Sequence, residues 1–208
     1  MKHILLLVAL VTMLAGCDLA KAYPQREFFA FEPGAAPAAT GQPMDIIVRV
    51  NAVHIAAPYD TRKFTYRTSA DAFDTDYYNG FVDVPDRLLA GGMVEWLSAS
   101  KVFRVTVGPE SNVQSDLQVE TNVVEMYGDY RDKKAPKAVI SARVFLLNQE
   151  GVATQVLFER KYDAVVPVKG PKAADLAAGF GQAWREILLH ASADLAKVKL
   201  PATVTTQP

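Results

Sequence analysis

The chain has 208 residues, of which 50% are apolar and 22% charged, and a formal net charge of −1. That balance fits a folded globular protein and excludes the basic footprint of a nucleic-acid binder. One cysteine in the whole chain allows no intramolecular disulfide, so a folded domain here must stand on its core.

Lys2 and His3 lead into an apolar run over residues 4–14, which ends in Leu14-Ala15-Gly16-Cys17. A short basic start, a hydrophobic stretch too brief to span a bilayer and small residues at a cut site read as an export signal over residues 1–16. Cys17 directly after Leu-Ala-Gly resembles a bacterial lipoprotein signal, in which that cysteine takes up a diacylglycerol and an N-acyl chain and becomes the new N-terminus. The competing reading is an ordinary signal peptide with Cys17 falling near the cut. Lipidation would tether the mature chain to an envelope membrane, facing the periplasm. Asp18 either resembles the enterobacterial signal for retention in the inner membrane or simply opens the tether, so the choice of membrane stays open.

Residues 17–43 carry Pro24, Pro33, Pro37 and Pro43 with Gly34, Gly41 and several alanines, a composition that reads as a tether. Tyr23, Phe28, Phe29 and Phe31 interrupt it. An aromatic cluster of that kind is expected to lie along the domain, as an edge strand would. Residues 44–199 form the domain. Over 45–53, Ile46, Val48, Val50 and Ala52 share one face while Ile47 and Val53 occupy the other, as in a strand buried on both sides. Residues 63–67 alternate cleanly, and a short strand is expected over 79–82. Pro85 suits a first helical turn, and Leu89, Met93, Trp96, Leu97 and Ser100 then line one helical face, with Gly91 and Gly92 weakening that helix.

Three longer β stretches follow. Residues 116–127 alternate through Leu117, Val119 and Thr121 and then slip phase at Val123-Val124, the mark of a bulge. Residues 137–147 place Ala138, Ile140, Ala142, Val144 and Leu146 on one face, and 154–166 continue the alternation. Between these two, residues 148–151 end in Gly151, placed for a hairpin turn. Residues 172–199 read as a long helix, with Leu176, Phe180, Trp184, Leu188, Ala191 and Leu195 at spacings of three and four. Residues 200–208 form a polar tail, expected to be disordered. The fold class is mixed α/β: a single sheet of about five to six strands with an antiparallel meander and two packed helices.

Catalytic patterns do not emerge. His3 leaves with the signal, and His54 and His190 have no cysteine or second histidine at ligand spacing. No serine sits in a Gly-x-Ser-x-Gly elbow, no phosphate-binding glycine loop is present, and Gly179-x-Gly181 falls inside a helical pattern. Asp71, Asp74 and Asp76 lack the glycine and closing glutamate of a calcium loop and read as a solvated loop. The chain reads as a non-enzymatic protein without cofactor or metal. Its most distinctive stretch is 59–85, where Tyr59, Phe64, Tyr66, Phe73, Tyr77, Tyr78 and Phe81 are interleaved with charges. Phe64, Tyr66 and Phe81 suit the sheet core. Tyr77 and Tyr78 are adjacent and cannot both face one core, so at least one is a candidate contact for a partner.

The run Tyr59-Asp60-x-x-Lys63-Phe64-x-Tyr66-Arg67, then Tyr77 or Tyr78, then Phe81-x-x-x-Pro85 and Leu88-Leu89, resembles the auxiliary lipoproteins of ABC-type transport systems, the family of paraquat-inducible protein C. The order of elements agrees from about Met44 to Leu195. Phe81 stands where the family usually has tryptophan, and the tether before Met44 is longer and richer in proline and alanine than usual. The resemblance implies a mixed α/β fold like the N-terminal domain of TolB. It also implies a non-enzymatic lipoprotein working beside an Mce-domain protein and an ABC transporter or integral membrane subunits, in the transport of lipids or other hydrophobic molecules. Tyr59, Asp60, Tyr66 and Arg67 then join Tyr77 and Tyr78 as candidate partner contacts, and Cys17 carries the lipid. The competing class is a free-standing periplasmic ligand-binding or envelope-assembly lipoprotein, which would need a closed apolar pocket between helix and sheet. Self-association is left open.

Overall fold

A computed structural model describes residues 24–37, 41–149 and 153–201. Cys17, Asp18, the export signal, the Gly151 turn and most of the polar tail lie outside the described residues. The elements in chain order are β1 (Glu27–Phe29), β2 (Met44–Val50), β3 (His54–Ile55), β4 (Lys63–Arg67), β5 (Phe73–Phe81), α1 (Pro85–Ser100), β6 (Phe103–Val107), β7 (Leu117–Asp129), β8 (Lys137–Asn148), β9 (Gln155–Pro167) and α2 (Ala173–Leu195).

All nine strands belong to one mixed sheet, organised by the length of β7. One edge of β7 pairs antiparallel with β8, which pairs antiparallel with β9. The other edge is shared in turn by three shorter parallel partners: β2 at Leu117–Val119, β3 at Asn122–Val123 and β4 at Gly128–Asp129. Two wings extend from there, β6 beyond β2 and then β5 and β1 beyond β4. The register of β7 against β8 shifts between Val123 and Glu125, so Val124 is the extra residue behind the phase slip in the sequence.

The sheet therefore has nine strands where the sequence pattern indicates five to six. The additional ones are held by backbone pairing in stretches too short or too polar to stand out, although β6, Phe-Arg-Val-Thr-Val, alternates as a strand does. β3 is two residues long and β6 five, and the first half of β5 is Phe-Asp-Thr-Asp, whose aspartates disfavour strands. Strand β1 comes from the aromatic part of the proline-rich segment, paired parallel with Asn79–Phe81.

Both helices pack on one face of the sheet and on each other. Pro85 opens α1, where its missing N–H leaves no helical bond unmade. The space between layers is filled by Trp96, Trp184, Phe64, Phe103 and Phe180, all with under 2% of their surface exposed. The Trp184 indole donates to the Leu89 carbonyl (3.2 Å) and the Trp96 indole to Ser192 Oγ (3.2 Å), so neither buried N–H is left without an acceptor. Gly92 has a physical reason to sit inside α1: a Cβ there would lie 3.2 Å from the Pro33 ring and from the Trp184 indole.

The segment after β1 is strapped across the helices. Phe31 is buried among Phe81 and Phe180. The Arg185 guanidinium donates to the carbonyls of Pro33 (3.1 Å) and Ala35 (2.7 Å). Gly181 lets the strap lie against α2, since a Cβ there would come within 2.5 Å of the Glu32 carbonyl oxygen.

Candidate functional site

The face of the sheet opposite the helices divides into three regions. Across its middle the charges are paired, Arg143 of β8 with Glu159 of β9 (3.0 Å) and Lys161 with Asp163 within β9 (2.8 Å), and Asp163 also accepts from Ser141 Oγ (2.6 Å). These exposed pairs neutralise one another and add little stability.

At the end where β4 meets β7, an aromatic cluster forms around an arginine. Arg67 and Phe73 are register partners, and Arg67 lies beside Asp129 of β7. The Arg67 guanidinium sits 5.6 Å from the Phe73 ring centre and 5.9 Å from that of Tyr127, within reach of cation–π attraction. It also donates to the Ala70 carbonyl (2.6 Å) and the Tyr127 hydroxyl (3.3 Å). Tyr59 stacks on Tyr127 (5.9 Å) and meets Phe73 edge-on (6.2 Å). Tyr127 is the buried floor of the cluster, while Phe73 keeps 46% of its surface exposed. Burial pushes the Tyr59 phenol pKa up, aided by the nearby Glu125, so this hydroxyl stays neutral and available for hydrogen bonding.

Tyr66, one residue earlier, faces the other way. Its hydroxyl donates to Asp76 (2.7 Å) and its ring meets Tyr130 edge-on at 5.1 Å. Asp76 also accepts from the amides of Tyr78 (2.8 Å) and Asn79 (3.0 Å) and from the Asn79 side chain (2.9 Å). Burial alone would raise the Asp76 pKa, but these four donors outweigh it and hold the carboxyl below its usual range. Tyr66 is raised in turn, first by burial and then by the carboxylate it serves. Together these residues line a surface cleft of about 480 Å³ with Asp74 and Lys133. The knot has a structural task, because the β4–β5 register jumps from Thr65–Thr75 to Lys63–Gly80. Asp76 supplies acceptors to amides that the ladder cannot pair there.

That irregular stretch pushes Tyr77 and Tyr78 outward. Their rings meet edge-on at 5.1 Å, with Tyr77 61% exposed. Arg26 stacks over Tyr77 at 4.7 Å and Arg62 over Phe28 at 5.3 Å. Asp60 is exposed in the turn before β4. The six candidate contacts thus do not form one site: Tyr59 and Arg67 meet, Tyr66 is tied inward, Tyr77 and Tyr78 lie on the edge, and Asp60 stands apart in its turn. Tyr127 is the cluster member that local sequence reading passes over. Counting the bulge at Val124 puts it on the open face, opposite Met126, and that phase change was the available signal. Among the described residues no three His, Cys, Asp or Glu side chains come together as a metal site would need, and His54 and His190 are exposed and apart.

The fold is thus an open mixed sheet with both helices on one face and an aromatic–arginine cluster on the other. The chain belongs to the family of ABC-type transport auxiliary lipoprotein components, whose sequence profile matches residues 29–190. The match includes the motif stretch from Tyr59 to Leu89. Among solved structures the fold is similar to a Xanthomonas campestris protein of the family DUF330, at TM-score 0.71 and 17% identity over 80% of this chain and 92% of that one. An uncharacterised protein is similar at TM-score 0.61 and 16% identity, over 77% of this chain and 99% of that one. No functionally curated protein matches the sequence. The family is one of transport accessories rather than enzymes and implies an envelope lipoprotein. No helix among the described residues is long and apolar enough to cross a membrane.

Proposed function

We propose that this protein is a non-enzymatic lipoprotein, anchored through acyl chains on Cys17 and facing the periplasm. It serves as an accessory to an ABC-type envelope transport system with an Mce-domain component, moving lipids or other hydrophobic molecules. Its contribution is docking, through the open face at Tyr59, Arg67, Phe73 and Tyr127. The observation that carries this reading is the composition of that cluster in a chain of this family. An arginine held between aromatic rings, with an exposed phenylalanine and a neutral tyrosine hydroxyl beside it, offers apolar area and directed donors at low entropic cost. The free-standing ligand-binding reading calls for a closed apolar pocket between helix and sheet, and that space is occupied by Trp96, Trp184 and Phe180.

The test is to solubilise envelopes gently, purify the full chain through a C-terminal tag and identify co-purifying proteins by mass spectrometry. Transporter or Mce-domain subunits are expected, and their loss in R67A/F73A with the fold intact supports the docking face. A lone lipoprotein from wild-type cells refutes the accessory role.

A further inference from the structure

The strap over α2 changes how far the domain can stand from its anchor. Residues 27–37 are bound to the domain by β1 pairing, by burial of Phe31 and by the Arg185 bonds to Pro33 and Ala35. Glu27, the first residue of β1, therefore lies only ten positions after Cys17, a span of at most about 35 Å when fully extended. The edge where β1 enters must lie close to whatever membrane holds Cys17.

That edge has a composition suited to a lipid headgroup layer. Phe28 is 53% exposed and Tyr77 61%, with Val82 also exposed. Arg26 covers the Tyr77 ring, Lys63 Nζ lies 6.0 Å from its centre, and Arg62 covers Phe28. The Arg62 side chain also donates to the carbonyls of Phe81 and Val82. Among the described residues none of these three cations forms an ion pair, in contrast to the paired charges in the middle of the same face. Glu27, the nearest carboxylate along β1, alternates to the side opposite Arg26 and Phe28.

We propose that Arg26, Phe28, Arg62, Lys63 and Tyr77 form a face that rests on anionic lipid headgroups of the bilayer carrying the Cys17 anchor. Aromatic side chains flanked by arginine and lysine favour that interface, because the ring enters the headgroup layer while the cation meets lipid phosphate. The occupant is a lipid surface, chosen on the short reach of the chain from Cys17 and on the unpaired positive charge. The proposal rests on lipidation of Cys17.

The experiment uses the full lipidated chain in vesicles of phosphatidylglycerol and phosphatidylethanolamine that carry bromine on their acyl chains near the headgroup. In Y77W the new indole is the exposed reporter, since Trp96 and Trp184 are only 1% and 0% exposed. Brominated lipid is expected to quench it by about twofold, with quenching relieved in R26E/K63E and in phosphatidylcholine vesicles. Flotation of the vesicles reads the anchor separately. A chain that floats while its indole is unquenched and open to iodide overturns the membrane face and leaves the anchor standing. A chain that does not float with its vesicles overturns both. An indole shielded only when a transporter subunit is present also overturns it, and assigns the edge to a protein partner.

Discussion

Replacing Asp76 with alanine removes the acceptor for four donors at once: the Tyr66 hydroxyl, the Asn79 side chain and two backbone amides. Hydrogen bonds to a charged group contribute about 1.5–3 kcal/mol each when buried. Here the two amides lie near the surface and regain water, so the full sum overstates the loss. The partly buried Tyr66 hydroxyl, left without an acceptor, dominates, and the expected cost is about 2–3 kcal/mol. For a domain of this size that corresponds to a fall in Tm of about 6–9 °C. Y66F removes one donor and leaves the turn amides served, so about 1 kcal/mol is expected. Urea unfolding followed by emission of the buried Trp96 and Trp184 measures both, and the double variant D76A/Y66F should cost less than D76A alone, because it no longer strands the hydroxyl. A D76A stability within about 0.5 kcal/mol of wild type would refute the assignment of the knot as the organiser of the β4–β5 irregularity.

Three further predictions concern the core, the strap and pH. W184A deletes a fully buried indole that bonds the Leu89 carbonyl and is expected to cost about 3–5 kcal/mol in the same unfolding assay. G181A places a methyl 2.5 Å from the Glu32 carbonyl oxygen, so the strap must lift. Limited proteolysis should then cut within residues 32–37 well before the wild-type chain is nicked, at a stability cost of about 1–3 kcal/mol. Asp76, Asp163 and Asp194 all have pKa values held below the usual carboxylate range. In Asp76 and Asp194 hydrogen bonds outweigh burial, and in Asp163 Lys161 and Ser141 are the main cause. Their contribution is present above the unfolded carboxylate value of about 3.9 and is lost as pH falls through the depressed folded values. At the alkaline end Tyr66 and Tyr162 are raised, so stability should also decline as pH rises past the unfolded tyrosine value of about 10. Denaturation midpoints measured from pH 2 to 11 test both limbs, and D76A should flatten the acid one.

The elements legible in the sequence are those whose burial pattern is local. Strand β8 alternates through Ala138, Ile140, Ala142, Val144 and Leu146, all fully buried under α2, and α2 repeats its apolar residues with helical spacing. Even the irregularity at Val124 is visible, because one extra residue inverts the alternation after it. The first half of β5 is not legible: Asp74 and Asp76 look like loop residues, and only the pairing of Phe73, Asp74 and Thr75 with Arg67, Tyr66 and Thr65 makes this stretch a strand. The cluster fails for a related reason. Arg67 and Tyr127 are sixty residues apart, and their meeting depends on a parallel register between β4 and β7 that no local pattern encodes. Phe28, Phe29 and Phe31 show the reverse case, since an aromatic group inside a proline-rich stretch signals contact with the domain without revealing the partner strand.

Two surfaces of one sheet face are thus proposed to meet different partners, and charge reversal can separate them. Arg67 is enclosed by Phe73 and Tyr127 and spends its donors on Ala70 and the Tyr127 hydroxyl. In the proposed docking role it holds the rings in position, and a flat guanidinium does this where an ammonium cannot. R67K is therefore expected to weaken capture of the transporter partner about tenfold, with little dependence on salt. R26E/K63E changes exposed cations at the β1 edge, where long-range attraction to anionic lipid dominates. That variant should leave partner capture from detergent intact while freeing the edge from the bilayer, an effect that raised salt should mimic in the wild-type chain. If R67K proves silent in partner capture and R26E/K63E abolishes it, the assignments must be exchanged: the edge would be the protein-docking surface and the aromatic cluster a structural brace between β4 and β7.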